Sequence, residues 1–307
     1  MASKLKNAEY SEDTVAIAID SFLTALTFPF TRFSLELFTK TQERRMGADA
    51  RLISHRGGFL PIYMQFKRPS AYPEDSRSSI IRDRKDLAPP LETSPNTLFF
   101  ALRRKEPDHA DYQHNILYKL RQALHFLGKG DAFYVCPLFL DRSAYRFHVH
   151  ISALRRWFQP WLHPFDLGNY NLSFGDQVRL IEEIPIFKKH VSITPHAPVD
   201  NHRHKYSFTE QGKEICFHSP LHVEKGFESF GTSLANNIRA SYNITDRHSS
   251  SEMTDLLRGI INRGEIGFEL DERKLLEEYG WIDQWLQLGD FLLSEYSIYQ
   301  YALYFHR

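Results

Sequence analysis

Three residues in the first quarter of the chain have types and spacing suited to phosphodiester chemistry: Asp49, Gln65 and Lys67. Residues 48–54 and 59–67 are both rich in β-forming side chains, and His55-Arg56-Gly57-Gly58 between them is a connection of hairpin length. In a hairpin centred on Gly57, Asp49 falls opposite Gln65, and opposed side chains lie on one face. Lys67, two residues on, shares that face by the strand period. A carboxylate, an amide oxygen and an ammonium so grouped suit a hard cation such as Mg²⁺, which binds a phosphate oxygen and acidifies a water. The amine can then stabilise developing negative charge. A one-residue slip would undo the grouping, since it turns every side chain to the other face. The same spacing also suits a surface hairpin with unrelated polar residues.

The elements that must position these residues follow from periodicity. Ser11, Glu12 and Asp13 mark a helix start, and Val15, Ile19, Phe22, Leu23 and Leu26 recur at helical spacing until Pro29. From Thr31 to about Thr41, Phe33, Leu35 and Leu37 alternate with Ser34 and Glu36, the repeat of a half-buried strand. After the hairpin, residues 70–96 are rich in Pro, Ser and charge and read as a long surface loop. A strand over 98–102 precedes a helix over 111–127, closed by Gly128 and Gly130, and then an apolar strand over 132–140. The order is a mixed α/β layout around one central sheet.

Downstream, residues 145–151, 191–194, 206–208 and 214–218 read as strands. From Gly226 onward the pattern is mostly helical, over 253–261 and 274–299. No internal repeat or linker stands out. The expectation is a core over 1–145 with an elaboration over 146–307 packed on it, in one continuous domain.

Lys+Arg and Asp+Glu balance at 38 each, so any nucleic-acid surface must be local. Two cysteines, Cys136 and Cys216, are too few for a disulfide framework and read as half-buried thiols. The first twenty residues carry no uncharged apolar run with a small-residue cleavage site, and no run of about 18 apolar residues occurs, so the expectation is a cytoplasmic protein that is neither secreted nor membrane-spanning.

Glu43-Arg44-Arg45-Met46-Gly47-Ala48-Asp49, followed by Met64-Gln65-Phe66-Lys67, resembles the E…GAD…(D/E/Q)xK pattern of the PD-(D/E)XK nuclease superfamily. The stretches Tyr112-Gln113-His114-Asn115 and Phe133-Tyr134-Val135-Cys136-Pro137 are similar to the helix and strand that follow the motif in bacterial members. The resemblance spans roughly residues 10 to 140 and implies a restriction endonuclease-like αβββαβ core with a central mixed sheet. It further implies that Asp49 binds metal, Gln65 takes the second ligand position, the Phe66 carbonyl adds a ligand, Lys67 is catalytic and Glu43 is an auxiliary acid. The implied cofactor is Mg²⁺ or Mn²⁺, and the implied substrate is DNA before RNA, as in bacterial defence against foreign DNA. Gln65 departs from the usual acid, and a neutral amide attracts a dication less than a carboxylate does. The alternative is therefore a nuclease fold that binds nucleic acid or assembles with a protein partner without cutting. Gln113 could approach the site or face solvent. Homo-oligomers occur in this superfamily, but no dimer face is legible.

Other signals are weaker. His148 and His150 would share a strand face, and His196, His202 and His204 cluster, which is suitable spacing for a transition metal without a partnering Cys or carboxylate at signature spacing. Arg82, Arg84, Lys85, Arg103, Arg104 and Lys105 could contact phosphates or simply face water. Ser219 has no nucleophile-elbow glycines, and no Gly-rich phosphate loop occurs. Trp281, Trp285, Leu286, Phe291 and Tyr296 read either as partner anchors or as core.

Overall fold

A computed structural model describes residues 5–27, 32–39, 59–158, 173–224, 228–242, 249–277 and 280–305. The chain opens with β1 (Lys6–Asn7), α1 (Glu12–Thr27), β2 (Phe33–Leu37), β3 (Leu60–Phe66) and β4 (Ser70–Pro73). Next come α2 (Ser79–Lys85), β5 (Asn96–Ala101), α3 (Gln113–Leu127), β6 (Asp131–Pro137) and α4 (Arg142–Phe158). Then α5 (Phe174–Glu183), α6 (Pro185–Lys188), β7 (His190–Ile193), β8 (Lys205–Thr209), β9 (Cys216–His218) and β10 (His222–Val223) follow. The chain ends on α7 (Phe230–Tyr242), α8 (Ser250–Gly264), α9 (Gly280–Tyr296) and β11 (Tyr299–Phe305).

The fold is mixed α/β, but it holds two sheets among the described residues where the sequence suggested one. A mixed sheet runs β2-β11-β3-β6-β7, and an antiparallel sheet runs β1-β4-β5-β8-β9-β10. Each draws strands from both sides of residue 145. In the mixed sheet β3 and β6 are parallel, whereas β11 is antiparallel to both β2 and β3.

Along β3, Leu60, Ile62, Met64 and Phe66 join a core shared with Val15, Ile19 and Leu23 of α1. Phe59 and Tyr63 point the other way, into a core with Ile116, Leu117, Leu120 and Leu124 of α3 and with Phe100, Tyr206 and Phe208 of the antiparallel sheet. Because β3 is covered on both faces, Gln65 and the following Lys67 are buried too. The alternation read in residues 33–37 is present, but Ser34 is buried as well, so that strand is covered on both faces and not half-exposed.

The expected hairpin is corrected. Residues 48–54 lie outside the described residues, and β3 has both edges occupied, by residues 299–303 on one side and 131–135 on the other. Tyr134 stands directly across from Gln65. A strand with apolar residues on both faces belongs in the middle of a sheet, and pairing there is decided by tertiary contacts and not by the nearest turn.

Residues 70–96 are also more ordered than a loop. Ser78 caps α2 by accepting from the Ile81 N–H, and Ile80, Ile81 and Arg84 are buried beneath that helix. Residues 145–151, expected as a strand, lie within α4, where Asp141 Oδ1 accepts from the N–H groups of Ser143 and Ala144. Tyr145, Val149 and Ser152 then face inward at helical spacing, while Arg146, Phe147 and His150 face out. His148 and His150 therefore share no strand face.

The helix expected over 274–299 is α9, ending at Tyr296, and the last seven described residues form β11, which the sequence reading did not find. Gly130 sits at φ 87°, where a Cβ would stand 2.1 Å from the Pro61 carbonyl oxygen, so only glycine fits between α3 and β6. Both cysteines are fully buried, and burial pushes their thiols well above the ordinary range, to about 11 for Cys216. Among the described residues no helix is long and apolar enough to cross a membrane.

Candidate active site

The sequence-derived residues that the structure brings together are Gln65, Lys67 and Gln113. β3 sets the first two on the face toward α3, and the Lys67 N–H extends the parallel ladder by donating to Val135 O at 2.9 Å. Gln113 is the first residue of α3. Asp111 fixes that helix start, since its Oδ1 accepts from the Tyr112 N–H and from Asn115 Nδ2, each at 2.7 Å. The paired backbone then aims Lys67 Nζ at Gln113 Oε1, 2.9 Å away.

A third element closes the group. The Tyr296 carbonyl, at the end of α9, accepts from Gln65 Nε2 at 3.0 Å and from Gln113 Nε2. The two glutamine amides thus converge on one backbone oxygen, with the lysine held by one of them. Lys67 is only 2% exposed. Burial drives its amine down from 10.5 to about 8; Glu12 and Cys136 oppose the shift, and Arg103 adds to it. The ammonium also lies 5.7 Å from the Tyr134 ring centroid, on the ring face.

Gln65 Oε1 is buried and accepts no hydrogen bond from the described residues. An amide oxygen is a donor type that hard dications accept, and Gln65 Oε1 is one such donor. The other expected donors, Asp49 and Glu43, lie outside the described residues. Phe66 turns its side chain away from the site, against the Tyr299 ring at 5.1 Å between centroids. Among the described residues no group of three or more His, Cys, Asp or Glu side chains is arranged to hold a metal ion, so the histidine clusters do not form such a centre.

The Tyr296 carbonyl carries no sequence signal, and Glu12 is legible only as a helix-start acid; Arg103 belongs to the run expected to contact phosphates or face water. Their ion pair, with Arg103 Nη1 also donating to Ser297 Oγ at 3.1 Å, ties α1 to the start of β11 beside the site. Of the other residues expected to contact phosphates, Arg82, Arg104 and Lys105 are exposed. Arg84 is buried and bonded within the fold, and Lys85 donates to Glu74 O. Trp281, Trp285, Leu286 and Tyr296 are core, with Phe291 packed against it, so they offer no exposed anchor.

No family model matches the chain, and comparison with curated proteins and with solved structures also gives no match.

Proposed function

We propose that this chain is a metal-dependent nuclease of the PD-(D/E)XK type, cleaving DNA, with Lys67 as its catalytic amine. The observation that carries the reading is that Gln65, whose buried Oε1 is unpartnered among the described residues, and the buried Lys67 two residues on are both tied to Gln113 or to the Tyr296 carbonyl it shares. In this reading Gln65 Oε1, the Phe66 carbonyl and the Asp49 carboxylate hold the cation, with Glu43 as an auxiliary acid. A divalent ion bound there supplies Lewis acidity to a phosphate oxygen and lowers the pKa of water.

The chain's own groups do the rest. An amine titrating near 8 is mostly cationic at neutral pH, so Lys67 can stabilise charge that develops on a phosphate oxygen, yet it can also release a proton at Nζ. Gln113 fixes the direction of that amine, and low exposure strengthens its field. The test is incubation of the purified protein with plasmid, single-stranded DNA and RNA, each with Mn²⁺ or a chelator. Cleavage that needs Mn²⁺ and falls by about a hundredfold or more in Lys67→Ala and in Asp49→Ala is the expected result. Undiminished cleavage in either folded variant would discard the assignment, and stable binding without cutting would select the non-cleaving alternative.

A further inference from the structure

We propose that Arg103 is the phosphate-binding side chain at the mouth of the Lys67 site, and that Glu12 occupies its guanidinium until a polynucleotide displaces it. This rests on the nucleic-acid substrate of the reading above and adds the residue that first meets it.

Lys67 is too deeply buried to make the first contact with a phosphate backbone. Arg103 is placed to do so. Its side chain is 50% exposed, against 23% for Glu12, and it lies two residues beyond the end of β5. One arm of the guanidinium is pinned by the neutral Ser297 hydroxyl, next in sequence to the Tyr296 carbonyl that receives both glutamine amides. The other arm takes the Glu12 carboxylate. Arg104 and Lys105, both exposed, continue the cationic run in sequence.

A phosphate oxygen can take the single place on Arg103 Nη2 that Glu12 Oε2 holds, since both are anionic acceptors of a charge-assisted hydrogen bond. A half-exposed ion pair holds weakly in water, whereas a polyanion gains from counterion release at each neutralised phosphate. Glu12, once released, keeps a favourable place in the first turn of α1.

The experiment is fluorescence anisotropy of labelled single-stranded and duplex DNA with the full chain, in chelator so that nothing is cut, across a salt series. Glu12→Gln should bind several-fold tighter, a gain that misfolding cannot imitate. Arg103→Ala should bind about tenfold more weakly, with a salt slope reduced by about one contact. Unchanged or weaker binding in Glu12→Gln, or unchanged binding in Arg103→Ala, overturns the proposal. So does displacement of DNA by inorganic phosphate at constant ionic strength and equal phosphate concentration, which would assign the seat to a free anion. Parent cleavage with Mn²⁺ reports on the nuclease reading separately: cutting with binding unchanged in both variants removes the Arg103 proposal alone.

Discussion

Lys67 Nζ and Gln113 Oε1 meet at 2.9 Å inside the protein, which joins a strand end to a helix start through one hydrogen bond to a desolvated ammonium. The unfolded chain holds the lysine proton up to about 10.5, while the folded chain releases it near 8. Between those values the unfolded state binds more protons, so folding stability rises with pH, by up to about 1.4 kcal/mol per unit. Lys67→Met should lack that rise. Urea unfolding of both proteins at pH 8 and above checks it; parallel curves would show that the amine is not desolvated.

Gln113 serves two neighbours, since its oxygen accepts from Lys67 and its nitrogen donates to Tyr296 O. Gln113→Leu leaves a buried ammonium and a carbonyl short of a partner and should cost about 3 kcal/mol. Gln113→Glu instead sets a carboxylate against Lys67 and raises its pKa. The alkaline stability rise should then shrink, which the same urea series at high pH would reveal.

The parts of this site that were legible in the sequence are those fixed by local period. The run 59–67 announced a strand with Gln65 and Lys67 on one face, and 111–127 announced a helix whose first turn carries Gln113. What escaped was long-range. β11 pairs with β2 and β3 across more than two hundred residues, and no local pattern distinguishes Tyr299–Phe305 as a central strand from the tail of a helix. The hairpin expectation failed for the same reason, because turn chemistry cannot foresee that distant strands will occupy both edges of β3. In α4, aromatic and branched residues suggested a strand, and the Asp141 cap with burial of Tyr145 and Val149 decided for helix.

His114 and His190 predict sensitivity to acid. Burial lowers both from 6.5 to about 4. His114 bridges Tyr134 Oη and Ala197 O, each at 2.7 Å, while His190 Nδ1 contacts Ile186 O and its Nε2 is unpartnered among the described residues. The unfolded chain takes up these protons first. Stability is therefore complete above pH 6.5 and lost as pH falls toward 4, at about 1.4 kcal/mol per unit for each residue. His190→Phe should remove one of the two contributions and flatten the acid limb of a urea-stability profile; an unaltered limb would mean that His190 is accessible to protons in the folded state.

Arg84 is a buried, heavily bonded cation on the antiparallel-sheet side. It donates to Glu92 O twice, to Ser207 Oγ at 3.1 Å, to Glu214 O at 2.8 Å and to Glu214 Oε2 at 3.2 Å. Ser207 Oγ in turn lies 2.8 Å from His218 Nε2, and His218 Nδ1 lies 3.2 Å from Asp83 Oδ2. That order repeats the hydrogen bonds of a hydrolase triad, but Ser207 is fully buried with Arg84 seated on its oxygen, so the relay pins α2 to β8 and β9. A fluorophosphonate probe should leave Ser207 unlabelled. Arg84→Lys keeps one charge but cannot span Glu92, Ser207 and Glu214 together, and it should destabilise the fold by about 3 kcal/mol or more. Thermal unfolding of that variant close to the parent would show that the guanidinium fork is dispensable, and labelling of Ser207 would show that the relay opens to a nucleophilic serine.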